Sequence, residues 1–270
     1  MISIRNLKKT FFPDTPNEVR ALRGIDLDIP DGCFTAVIGS NGSGKSTLLN
    51  AVAGTFFPDQ GKVLIDGQDI TGWPEHRRAR LIGRVFQNPF AGTAADMTIA
   101  ENIVMAMRRG CRRGLGLALR PSVRDAIADR IRSLNMGLED RLGNPIGTLS
   151  GGQRQALTLL MATWLRPRLL LLDEHTAALD PKSAAQVAEL TLDIIRREKL
   201  TALMVTHSMQ QAVQLPDHII MMHKGQIVRQ FGGQEKARVR VPDLLSAFDQ
   251  LRRREQLDET VADIIRSQYR

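Results

Sequence analysis

The stretch Gly39-Ser40-Asn41-Gly42-Ser43-Gly44-Lys45-Ser46-Thr47 decides the fold. Residues 34–38 before it read as a short buried strand, and residues 45–53 after it read as a helix stopped by Gly54. Glycines between a strand and a helix let the backbone wrap a phosphate chain with its N–H groups pointing inward. The helix opening at Lys45 adds the positive end of its dipole. Lys45 can reach the outer phosphates of a nucleotide, and the Ser46 hydroxyl can ligate Mg²⁺. All nine residues are therefore nucleotide-binding candidates.

Further along, Leu169-Leu170-Leu171-Leu172-Asp173-Glu174 is an apolar run ending in two carboxylates. A run without polar interruption suits a central parallel strand buried on both faces. Such strands present ligands at their carboxyl ends, where the glycine-rich loop also lies. Asp173 is then a candidate Mg²⁺ ligand, and Glu174 a candidate acceptor for the proton of an attacking water.

Around these two motifs the chain alternates. Ile2-Ser3-Ile4-Arg5 and Ile25-Asp26-Leu27-Asp28-Ile29 have strand periodicity, Pro30-Asp31-Gly32 is a turn, and Lys62-Val63-Leu64-Ile65-Asp66-Gly67 is another strand and turn. Strand signals resume at residues 169–172, 202–205 and 218–222, with a helix carrying Val187, Leu190, Ile194 and Ile195 between the first two. Strands alternating with helices predict an α/β fold with a parallel sheet. Residues 89–166 instead read as helical throughout and are expected to form an inserted subdomain. Thr98 and Glu101 make a capping box there, and Pro121-Ser122 opens a helix carrying Val123, Ile127, Ile131 and Leu134. Residues 233–270 are expected to form a helical tail, with Leu244, Leu245, Phe248 and Leu251 on one amphipathic stretch and Val261, Ile264 and Ile265 on the next.

Composition narrows the function classes. The 270 residues are 43% hydrophobic and 4% aromatic, which suits a globular core rich in Leu, Ile, Val and Ala. The most apolar segment, residues 157–165, is about half the ~20 residues a membrane-spanning helix needs. The opening Met1-Ile2-Ser3-Ile4-Arg5 lacks a secretory layout, and a cytosolic protein is expected. Cys33 and Cys111 are isolated thiols and suggest neither a disulfide framework nor a metal site. His76, His218 and His223 have no metal-ligand spacing. The net charge of +8 raises an anionic partner. Much of it comes from Arg108-Arg109, Arg112-Arg113, Arg120, Arg124, Arg130 and Arg132. No aromatic residue is interleaved, which weakens a nucleic-acid stacking reading and leaves a solvated helical surface or a surface near lipid headgroups.

Leu149-Ser150-Gly151-Gly152-Gln153 precedes a helical stretch and forms a second helix N-terminus with exposed amides. One chain already has a phosphate cradle, so a second anion site is most economically explained as serving a nucleotide bound by another subunit. With this motif the chain resembles the ABC ATPase family, in which LSGGQ is the signature sequence, and the resemblance covers about residues 1–232 with the motifs in order. It implies a P-loop NTPase core of ABC type, with an N-terminal antiparallel β subdomain and the inserted helical subdomain. It implies ATP and Mg²⁺ as cofactors. By the resemblance, Gln87 in Val85-Phe86-Gln87-Asn88-Pro89 touches Mg²⁺ and connects to a transmembrane subunit. Asp180 in Ala177-Ala178-Leu179-Asp180 crosses a dimer interface, and His207 contacts the γ-phosphate. Phe11 stacks on adenine, with Phe12 the alternative, and Ser150, Gly151, Gly152 and Gln153 complete the partner's site. His175 departs from the family pattern, standing where many relatives have proline, and a structural role is expected for it.

The resemblance makes the chain the ATP-hydrolysing subunit of a transporter. It is expected to work as a homodimer or with a close paralogue, docked to transmembrane permease subunits at the cytoplasmic face of the cell membrane. Without a fused membrane span it is more similar to importer subunits. The run from Gly83 to Gln87 and from Gly92 to Thr98, taken with Leu172 to Asp180, resembles ATPases of tryptophan or amino-acid uptake systems, which work with a solute-binding protein. Residues Phe90, Met97 and Ala91 to Ala95 are expected to line the groove that receives the membrane partner, or alternatively to be buried against the subunit's own helices. Export or lipid movement is the competing reading, and a non-transport ATPase acting on nucleic acid is a further one, disfavoured by the single phosphate loop and the short insertion.

Overall fold

Alternating apolar residues near the N-terminus build the first sheet. In a computed structural model, which describes residues 1–111, 119–251 and 253, β1 (Ile2–Phe11) pairs antiparallel with β2 (Val19–Ile29), Ile2 opposite Ile29 and Ile4 opposite Leu27. These four residues are buried, while Ser3 and Asp28 face outward and bond to each other at 2.7 Å. After β3 (Phe34–Gly39) and helix α1 (Lys45–Ala53), β4 (Gln60–Ile65) covers the other edge of β1, and β5 (Gln68–Asp69) completes the antiparallel order β2-β1-β4-β5.

The second sheet carries the core. A short helix, α2 (Glu75–Arg78), leads to β6 (Ile82–Val85); then come the inserted helices α3 (Ile99–Met107), α4 (Pro121–Arg132) and α5 (Gly151–Thr163). The alternation resumes with β7 (Leu169–Asp173), α6 (Pro181–Glu198), β8 (Ala202–Val205), α7 (Met209–Gln214), β9 (His218–His223), β10 (Gln226–Phe231) and α8 (Gly233–Arg238). The strand order is β10-β9-β3-β8-β7-β6, parallel except for β10, which runs antiparallel to β9. Leu169, Leu170, Leu171 and Leu172 are all fully buried. Their even burial reflects cover on both faces of the sheet, and each fully buried Leu side chain contributes roughly 1.5–3 kcal/mol over exposure.

The insertion packs its own core of Ile103, Ile127, Ile131, Leu157 and Leu160. The capping box at α3 is present, with Thr98 N donating to Glu101 Oε2 at 2.8 Å and Glu101 N to Thr98 Oγ1 at 3.2 Å. The arginine-rich stretch is only partly a solvated face. Arg109 donates to the carbonyls of Met161 and Ala162, and Arg130 to those of Thr163 and Trp164, with its guanidinium 4.6 Å from the Trp164 ring centroid. Two arginines therefore close the C-terminal end of α5, where unpaired carbonyls and the helix dipole favour cations. Arg108, Arg120, Arg124 and Arg132 are exposed as expected. Arg112 and Arg113 lie outside the described residues.

Helical residues 241–251 follow α8 and bury Leu244 and Ala247 in the core against the second sheet, while Leu245 is exposed. Val261, Ile264 and Ile265 lie outside the described residues. Among the described residues no helix is long and apolar enough to cross a membrane.

Candidate functional site

Four parallel strands end on one side of the sheet and deliver the predicted residues together. β3 runs into the glycine-rich loop, β6 into Phe86-Gln87, β7 into Asp173-Glu174, and β8 into Thr206-His207. Register aligns these ends: Val85 lies beside Leu172, Asp173 beside Val205, and Val37 beside Val205 on the other edge.

The loop is tight. Gly44 is left-handed at φ 98°, and a Cβ there would stand 2.5 Å from the Ala21 carbonyl oxygen, so no other residue fits without displacing β2. Helix α1 has no side-chain cap, which leaves its first-turn amides available to an anion. Lys45 is buried and donates from Nζ to the carbonyls of Gly39 (2.9 Å) and Ser40 (3.0 Å). Burial pushes its pKa down, and the nearby Glu174 carboxylate partly offsets this. An ammonium whose hydrogen bonds go to carbonyls, with a carboxylate only nearby, is an anion site by its electrostatics. The Ser43 hydroxyl is likewise buried with no hydrogen-bond partner. Asn41, Gly42 and Ser46 are exposed at the mouth.

Glu174 sits one residue past β7 with φ 44°, a left-handed conformation uncommon for a residue with a side chain. Its Oε1 lies 2.7 Å from Nε2 of His207. The threonines beside this pair are tied together by Gln211 on α7. Its Nε2 donates to Thr176 Oγ1 at 3.0 Å, and its Oε1 accepts from Thr206 Oγ1 at 3.3 Å. Gln211 escaped the sequence reading because nothing local marks a glutamine as a bridge between two other segments. His175 is buried against α6. Its imidazole lies 3.0 Å from Thr191 Oγ1, and because that hydroxyl donates to Val187 O (2.7 Å), the imidazole Nε2–H is the donor. Its position is that of a packing residue.

Ser46, Asp173 and the exposed Gln87 offer a hydroxyl, a carboxylate and an amide. These are hard oxygen donors of the kind Mg²⁺ takes. Among the described residues no group of three or more His, Cys, Asp or Glu is placed to hold a metal ion by itself. A sparse donor set of this kind fits a cation that arrives with phosphate oxygens. Asp173 already has a neighbour that the sequence reading passed over: Arg84 Nη2, 3.4 Å from Asp173 Oδ2.

Ser150 caps α5 in a box with Gln153, both bonds at 3.3 Å and exposed. A Cβ on Gly152 would come within 2.8 Å of Ser183 Cβ, so this glycine lets α5 approach α6 closely. Asp180 caps α6 through Ser183 N (3.0 Å), which holds its pKa below the usual carboxylate range. Among the described residues no hydrogen bond or ion pair joins Ser150–Gln153 to the loop at residues 39–47. Phe11 packs edge-on against Phe56 at 5.4 Å, with the Lys9 ammonium 5.6 Å from both ring centroids. Phe12 is 66% exposed.

Between β6 and the inserted helices lies a cavity of about 520 Å³, lined by Phe86, Ala91 to Ala94, Arg84, Asn102 and Arg109 among others. Phe90 stands outside that lining, 59% exposed, with the Arg154 guanidinium 4.0 Å from its ring centroid. Met97 is half-buried and also outside it.

Comparison with known proteins follows the same lines. The family model for "ABC transporter" matches residues 22–177. The "Tyrosine transport ATP-binding protein" of Clostridioides difficile (strain R20291) is 40% identical over 250 residues, 92% of this chain and 99% of that protein. The "Lipoprotein-releasing system ATP-binding protein LolD" of Ruegeria pomeroyi is 34% identical over 84% of this chain and 96% of its own length. Among solved structures, the dimeric post-hydrolysis state of the ATP-binding cassette MJ0796 bound to ADP and Pi superposes with a TM-score of 0.72. It is 26% identical and covers 86% of this chain and 98% of its own.

Proposed function

The chain belongs to the ABC transporter family, whose ATP-binding and ATP-hydrolysing subunit it is, and we propose that it energises amino-acid uptake from the inner face of the cell membrane. Support for an amino-acid solute comes from the tyrosine-transport relative, similar over nearly the full length of both chains, and support for uptake from a methionine import ATP-binding protein that is 34% identical over 235 residues. In this reading the subunit associates peripherally with permease subunits and a solute-binding protein supplies the solute. The cavity beside Gln87 receives a helix of the permease. The exposed ring of Phe90 favours the groove reading over burial in the subunit's own core.

The Lys45 ammonium and the first-turn amides of α1 hold the β- and γ-phosphates of ATP. Ser46, Asp173 and Gln87 would hold Mg²⁺, which would neutralise charge on the phosphate oxygens. Glu174 takes the proton from water, and His207 orients that carboxylate while it contacts the γ-phosphate. Ser150–Gln153 and Asp180 act across a dimer of two copies, closing each site with the partner's residues. The observation that carries the chemistry is the 2.7 Å contact between Glu174 and His207 at the strand ends beside the buried Lys45.

Uptake is testable in cells that carry the chain. Its deletion should abolish accumulation of radiolabelled tyrosine or tryptophan, and the wild type but not Glu174→Gln should restore it. Intact accumulation together with a lost extrusion or lipoprotein-release phenotype would turn the reading to export, the direction suggested by the lipoprotein-releasing relative.

A further inference from the structure

Arg84 is a charged residue inside a strand that is otherwise buried. Its side chain is 13% exposed, and that of Asp173 is 18% exposed. The guanidinium is anchored from helix α1 and the residue just past its cap: Nη2 donates to Asn50 Oδ1 at 2.6 Å and Nη1 to Thr55 Oγ1 at 3.2 Å. It lies over the Phe86 ring at 4.6 Å, next to Gln87, and it lines the 520 Å³ cavity. Its Nε is buried and has no hydrogen-bond partner among the described residues. Towards Asp173 Oδ2 the same Nη2 reaches only 3.4 Å, beyond the 2.7–2.9 Å of a well-formed charge-assisted bond. The strong bond thus goes to a neutral amide, while the positive charge leans on a carboxylate from a distance.

We propose that Arg84 is a built-in competitor for Asp173: Asn50 keeps its guanidinium from pairing fully with the carboxylate, and the remaining attraction weakens the hold of Asp173 on a divalent cation. Two cations drawing on one half-buried carboxylate repel each other in a medium of low effective dielectric. Because Arg84 also lines the cavity, filling that cavity and loading the cation act on the same guanidinium. This rests on the assignment of Asp173 as a cation ligand.

The test is binding of Mn²⁺ to the ATP-loaded full-length subunit, followed by electron paramagnetic resonance, without turnover. Arg84→Gln should bind Mn²⁺ about tenfold more tightly than the wild type, a size already discounted for screening by solvent. Arg84→Lys keeps the charge and should stay near the wild type. Asn50→Ala releases the anchor, lets Arg84 close on Asp173 and should weaken Mn²⁺ binding. An Arg84→Gln affinity equal to or weaker than the wild type overturns the proposal. If that variant does not fold, an Asn50→Ala affinity equal to or tighter than the wild type does the same. Thermal denaturation separates a merely structural role, which would lower the melting temperature equally with and without Mn²⁺; competition predicts a larger Mn²⁺-induced rise in Arg84→Gln. Asp173→Asn is the control. If it leaves Mn²⁺ affinity unchanged, the assignment of Asp173 fails, and the proposal with it.

Discussion

Nε2 of His207 stands 2.7 Å from Glu174 Oε1, a contact that bridges the ends of two adjacent parallel strands. Glu174 is 14% exposed and His207 46%, so the histidine is the outer member of the pair and can meet a phosphate while it steers the carboxylate. Glu174→Gln keeps shape and hydrogen bonding but removes the base. It should bind ATP with unchanged affinity, lose about 10²–10⁴ in turnover, and accumulate as an ATP-bound dimer on size-exclusion chromatography. Steady-state hydrolysis near the wild-type rate would reject Glu174 as the base.

How much of this was legible beforehand depends on the range of the interaction. The glycine-rich loop, the Leu169–Leu172 run and the Thr98–Glu101 box are local patterns, and each stands where its spacing predicts. β6 was missed because Ile82-Gly83-Arg84-Val85 holds a glycine and a charge in four residues, and only its neighbour β7 makes it a strand. The left-handed turn at Glu174 has no residue-type signal, since glutamate rarely adopts it. Arg109 and Arg130 read as surface because the carbonyls they cap lie more than thirty residues downstream. The choice between Phe11 and Phe12 depends on a contact with Phe56 that no spacing announces.

That contact makes a prediction. Phe11 is held edge-on against Phe56 and is only half-buried, so it is positioned to stack without further ordering. Phe12 is largely in solvent. Phe11→Ala should weaken ATP binding by about 1–3 kcal/mol, the range for loss of an aromatic stack on a base. Phe12→Ala should change it little. Calorimetric titration of both variants decides the point, and a larger loss in Phe12→Ala would move the stacking role to that residue.

His175 carries a pH dependence of stability. Full burial pushes its pKa down to about 4, because the charged imidazole loses its hydration. In the unfolded chain it titrates near 6.5, so between the two values only the unfolded state takes up the proton. Its contribution is therefore intact above pH 6.5 and is lost as pH falls towards 4, by on the order of 3 kcal/mol. His175→Gln keeps a donor near Thr191 without a titrating ring. Urea unfolding at pH 7, 5.5 and 4.5 should show a shallower decline for this variant than for the wild type. Parallel declines would mean that His175 protonates freely in the folded chain.

Ser150 offers the sharpest test of assembly. Its two capping bonds with Gln153 are long, at 3.3 Å, and exposed, so an incoming phosphate can replace them at small cost. If these amides completed the site of their own chain, a monomer would hydrolyse ATP and the rate would scale linearly with protein concentration. If they complete a partner's site, the rate must rise more steeply at low concentration, because only dimers have whole sites. Ser150→Arg then puts bulk and charge where the opposing γ-phosphate belongs and should block turnover while the monomer still binds ATP. Lys45→Ala should instead weaken ATP binding itself, since it deletes the buried cation facing the phosphates. In a mixture of the two variants, a heterodimer gathers both lesions into one composite site and leaves the other intact. Activity should return in the mixture above that of either variant alone, provided one intact site suffices for turnover. Linear concentration dependence of the wild type, measured well below its dimerisation constant, would sink the shared-site arrangement whatever the mixture does.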